Sequence, residues 1–136
     1  MILVPCSYLI DKDRRVVICT GWGRLTFAEM RAQQDELTSN PEFDPGFDQL
    51  VDVTGVTVLA LSVEEAKTVA KRGIYLPTSR RAVVVASQAI FGMARLMDAH
   101  HSLATGREQV SVFYDTNAAL KWLGLQSLPI ELKIPT

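Results

Sequence analysis

Nucleophilic, acid–base and metal chemistry need histidine, cysteine, serine and carboxylate side chains in particular spacings, and this chain carries few such arrangements. Its two histidines are adjacent, His100-His101. Neighbours on a helix point about 100° apart, so this pair cannot chelate one metal as an i, i+4 pair does. It reads instead as a helix-end pair favoured by the C-terminal dipole. Cys6 and Cys19 lie in the apolar stretches Leu3-Val4-Pro5-Cys6 and Val16-Val17-Ile18-Cys19. They read as buried free thiols, not as a disulfide framework, a zinc site or activated nucleophiles. No Gly-x-Ser-x-Gly elbow nominates a serine nucleophile. Gly21-Trp22-Gly23-Arg24 lacks both the dinucleotide fingerprint and the phosphate-loop lysine. The expectation is a non-enzymatic protein with no catalytic constellation, no cofactor and no metal.

Three features remain as candidate sites. Ser62-Val63-Glu64-Glu65 is a capping box, with Ser62 as helix N-cap. A phosphate on Ser62 would also meet unpaired N–H groups and the positive end of the dipole, so the residue is a candidate phosphosite as well. Asp52 falls near the end of a strand expected over 47–53, where α/β folds place ligands. Two readings of it stand open: a polar site at the strand end, or a cap for the following turn. The third feature is a helix expected over about 88–103. Ile90, Ala94, Met97 and His101 share one side of it, with Met93, Leu96, His100 and Leu103 beside them and Phe91 extending the arc. Such a methionine-rich arc suits either a core helix or a surface that receives a partner or an acyl chain. Phe91, Met93, Met97 and His100 are the candidate interface or ligand groove.

These residues must be positioned by the elements around them. Strands are expected over Tyr8–Ile10 (from Cys6 at the earliest) and Arg15–Trp22, joined by the polar turn Asp11-Lys12-Asp13-Arg14 as a hairpin. Gly21 and Gly23 are expected to end the second strand in a bulge or bend. Thr26 and Glu29 open a helix over about 27–38 that Asn40-Pro41 stops. The 54–61 stretch reads as an apolar loop in preference to an extra short strand. The helix opened by Ser62 runs to about Ile74, with Val63, Ala66, Val69, Ala70 and Gly73 inward. The uninterrupted apolar run Ala82–Ala86 predicts a central strand covered on both faces. Gln109–Tyr114 is the last strand, and Asp115 caps a final helix that Gly124 ends. The order is ββαβαβαβα: an N-terminal hairpin, then parallel strands with right-handed helical crossovers.

The chain has 136 residues, 48% hydrophobic and 21% charged, with 14 Lys+Arg against 15 Asp+Glu. That is one domain, placed at 1–124, with 125–136 as a C-terminal tail. The near-neutral balance argues against a nucleic-acid partner. No apolar run approaches the ~20 residues of a membrane span. The N-terminus lacks the charged region of a signal peptide, so a cytoplasmic protein is expected.

Several segments resemble the SpoIIAA-like, or STAS/SEC14-type, superfamily. They are Asp11-Lys12-Asp13-Arg14-Arg15-Val16-Val17, Pro41-Glu42-Phe43-Asp44-Pro45-Gly46-Phe47, Leu50-Val51-Asp52-Val53, Arg81-Ala82-Val83-Val84-Val85, Phe91-Gly92-Met93-Ala94-Arg95 and Ala118-Ala119-Leu120-Lys121-Trp122-Leu123. All are fold punctuation, not catalytic signature. The resemblance implies an α/β SpoIIAA-like fold. It also implies a regulatory protein-interaction module that self-associates, as a dimer, or captures a protein partner. The family's switch serine sits in an Asp-Ser-Ser-Gly-like motif; here Ala60-Leu61-Ser62-Val63 keeps only the serine. Relatives with the lipid-carrying SEC14 fold imply the alternative, a small carrier of a lipid or other hydrophobic molecule.

Overall fold

The computed structural model describes residues 6–72, 74–105 and 110–126. Strand β1 (Cys6–Asp11) and strand β2 (Val16–Thr26) form an antiparallel hairpin. Its turn is closed by the Asp11 carboxylate, which accepts from the Arg14 N–H at 3.0 Å, and by Arg15 in the left-handed region at φ 57°. From there every strand runs parallel to its predecessor: β3 (Asp48–Ala60), β4 (Arg81–Val84) and β5 (Val110–Phe113), in the spatial order β1-β2-β3-β4-β5. The crossovers carry α1 (Phe27–Ser39), α2 (Val63–Lys71) and α3 (Gln88–Thr105), and α4 (Thr116–Leu123) follows β5. This is the expected ββαβαβαβα order.

Side chains alternate across a strand, so the sheet has two distinct faces. Val16, Ile18, Leu50, Ala82 and Val84 point to one face and pack on Ala119, Leu120 and Leu123 of α4. Leu125 also packs there, its N–H bonded to the Leu120 carbonyl at 2.8 Å. The other face, under α1, α2 and α3, holds two separate clusters. One gathers Cys6, Leu25, Val56, Val85 and Ile90; the other gathers Val17, Cys19, Leu37 and Phe47. The gap between them is the basis of the candidate site.

The structure corrects several expectations. The 54–61 stretch is strand, not loop: β3 runs on to Ala60 and pairs with β2 as far as Thr26. The pairing register slips at Thr20/Trp22 and again at Gly23/Arg24, each time with an extra residue on β3. Those two bulges break the alternation that marks a strand. Gly23 takes φ 64°, and a Cβ on Gly55 would stand 3.1 Å from Trp22 Cβ, so both glycines serve the irregular ribbon. Asp52 is consequently inside β3, not at its end. Helix α2 stops at Lys71 rather than near Ile74. Of its expected inward stripe Ala66 and Val69 are buried, but Val63 is 51% exposed because it occupies the first position after the cap. Gly73 and the Ala70 side chain lie outside the described residues, as does the tail from Ser127.

Candidate functional site

Between the sheet and α1–α3 lies a cavity of about 150 Å³. Its walls are largely apolar. Leu25, Val53, Val56 and Leu59 line it from the β2–β3 ribbon, Met30 and Leu37 from α1, and Ile90, Ala94 and Met97 from α3. The apolar side of α3 read from the sequence is therefore the one that faces this space.

Polar groups also line the cavity: Thr20, Gln49 and Arg81 from the sheet, Gln33 and Gln34 from α1, and Asp98 from α3. Gln49 and Arg81 are register partners at the start of the β3–β4 ladder, and both line the cavity. Gln49 is buried; its Nε2 donates to Cys19 Sγ at 3.0 Å, while its Oε1 has no partner. The Arg81 guanidinium lies over the Tyr75 ring, 5.3 Å from its centroid, and its buried Nε has no hydrogen-bond partner. No carboxylate among the described residues stands within ion-pair distance of it. Asp98 also lines the cavity, but is paired with Arg95 at 3.9 Å. Burial holds the Arg81 guanidinium below its ordinary value, opposed by Tyr75, Cys19 and Asp98. The same burial pushes the Tyr75 hydroxyl well up.

Burial likewise pushes both thiols up to about 11, with the Gln49 hydrogen bond acting the other way on Cys19. At neutral pH they are protonated and poorly nucleophilic. Among the described residues no group of three or more His, Cys, Asp or Glu side chains could hold a metal, and no helix is long and apolar enough to cross a membrane.

The residues singled out from sequence do not converge on one place. Met97 lines the cavity. Phe91 is half-buried and stacks on Tyr114, with centroids 4.8 Å apart and planes within 6°. Met93 is half-buried on the same helix, and the His100 side chain lies outside the described residues. Ser62 caps α2: its Oγ accepts from Glu65 N–H at 3.1 Å, and Glu65 Oε1 accepts from Ser62 N–H at 2.9 Å. A phosphate on Ser62 would meet Glu64 and Glu65 as well as the helix N–H groups. Asp52 accepts from Thr54 N–H at 2.9 Å and Thr54 Oγ1 at 2.7 Å, and so braces the first bulge of β3.

Gln49 and Arg81 were not visible as site residues in the sequence. The signal for Arg81 was the run Ala82–Ala86 itself. A strand covered on both faces forces its flanking arginine, two residues from Val83 and on the same face, under the helices as well.

No protein-family model and no curated protein matches the chain. Among solved structures it is similar to an uncharacterized protein of the DUF3478 family from Shewanella loihica PV-4, whose crystal structure has a SpoIIAA-like fold. The two share 18% sequence identity at a TM-score of 0.60, over 87% of this chain and 93% of that one. The mostly parallel five-stranded sheet with its four helices is a SpoIIAA-like fold.

Proposed function

We propose that the protein is a binding module for a small, largely apolar molecule held between the sheet and α1–α3, and not a catalyst. The observation that carries this reading is the cavity of about 150 Å³ between two otherwise well-packed clusters. Protein interiors close-pack, and native voids larger than a water molecule are few. A dry cavity of this order takes up benzene or xenon, so the occupant is benzene-sized. A complete long acyl chain exceeds it. Protonated thiols support binding over chemistry.

Native mass spectrometry of freshly purified protein tests the reading, together with thermal melting in toluene. The expected result is an adduct lost on denaturation, and a toluene-induced rise in Tm that Ala94→Phe, which fills the cavity, abolishes. Absence of both the adduct and the toluene effect overturns it.

One observation supports the interaction module as a second reading. Tyr114 is 54% exposed and rests on Phe91, and Leu96 on the same helix is 36% exposed. A dimer dissociated by Tyr114→Asp would support it; a monomer at every concentration would remove it.

A further inference from the structure

We infer that the occupant of the cavity is an organic monocarboxylate, with its head on Arg81 and its apolar body toward Val53, Val56 and Leu59. This rests on the small-ligand reading above and specifies its chemistry.

An arginine stays charged inside a protein, and a buried charge is tolerated when paired. Arg81 is half-buried at the wall of a largely apolar cavity, its fully buried Nε has no hydrogen-bond partner, and no described carboxylate stands within ion-pair distance of it; Asp98, on the same wall, acts on it from farther away and is paired with Arg95. The Tyr75 ring at 5.3 Å offers only a partial counterweight. The Nε–H left without a partner calls for an acceptor, and a guanidinium presents its donors in a fork that matches a carboxylate.

Gln49 completes the head-group end. Its Nε2 now donates to Cys19 Sγ, leaving Oε1 unpaired. The thiol is protonated and can also donate. A half-turn of the amide lets Oε1 accept from Cys19 and turns the NH₂ group toward the ligand. The aliphatic part of the wall is formed by Val53, Val56, Leu59, Ile90 and Ala94. Gln49 and Arg81 thus stand together, as register partners, on a wall that is mostly apolar and has room for one small body.

Benzoate and benzamide share shape and differ in charge, so calorimetric titration with both separates charge from fit. Wild type is expected to bind benzoate at least tenfold more tightly than benzamide. In Arg81→Met that preference disappears while benzamide binding remains. The ligand-free Arg81→Met protein melts at or above wild type, because a buried N–H without a partner has gone. Arg81→Lys keeps a smaller preference, since the ammonium lacks the fork. Equal or tighter binding of benzamide to wild type overturns the inference. So does a preference that survives in Arg81→Met, or an Arg81→Met protein that unfolds or melts below wild type. Toluene binding without benzoate binding sinks the carboxylate and leaves the cavity reading standing; binding of none of the three sinks both.

Discussion

Arg80 and Arg81 are consecutive and do unrelated work, because a strand sends neighbours to opposite faces. Arg80 turns to the α4 side, where its guanidinium donates to the Trp122 carbonyl at 2.8 Å and the Leu123 carbonyl at 3.0 Å and pairs with Asp48 at 3.3 Å. Arg81 turns into the cavity. From the sequence the two were a basic pair flanking an apolar run; strand phase separates them, and only packing reveals that no described carboxylate stands within ion-pair distance of Arg81. The buried thiols make a different residue-scale prediction. Their folded values, about 11, stand above the ordinary 9.0, so the folded state holds its protons longer than the unfolded chain. That contribution is fully present below pH 9 and is lost as pH rises from 9 through 11, on the order of 2 kcal/mol per thiol. Denaturant titrations across this range should show the decline, and a Cys6→Ala, Cys19→Ala protein should show a shallower one.

Elements were legible where a side chain answers the backbone locally. Thr26 and Ser62 each stand three residues before a glutamate, and both form complete capping boxes. Asp115 and Gly124, the latter at φ 77°, bracket α4 as their types predict. Ser62→Ala should cost about 1 kcal/mol in chemical denaturation. Arg80→Ala should cost about 2 kcal/mol, since charge-assisted bonds to the last carbonyls of α4 are lost, and the loss should appear as faster amide exchange in that helix. The second half of β3 was illegible for a physical reason. Its two bulges shift the inward positions, so Val53, Val56 and Leu59 face the cavity at three-residue intervals instead of two. The spacing resembles neither a regular strand nor, over so short a span, a helix. The cavity was illegible for the same reason, because its roof is this ribbon.

At the scale of the molecule the two faces of the sheet are unequal. Three helices cover one face and leave space beneath them; among the described residues α4 alone seals the other, against Val16, Ile18, Leu50, Ala82 and Val84. Ending the chain at Phe113 should therefore give a protein that binds hydrophobic dye and aggregates, and a soluble, cooperatively melting fragment would contradict this account. Spatial order in the sheet follows chain order without exception. During synthesis each strand leaving the ribosome meets a partner already in place, and the sheet widens at one edge only. Its α4 face, however, stays bare until α4 emerges. The nascent chain is thus well templated yet sticky until then, and this is the interval in which a chaperone holding that face matters most.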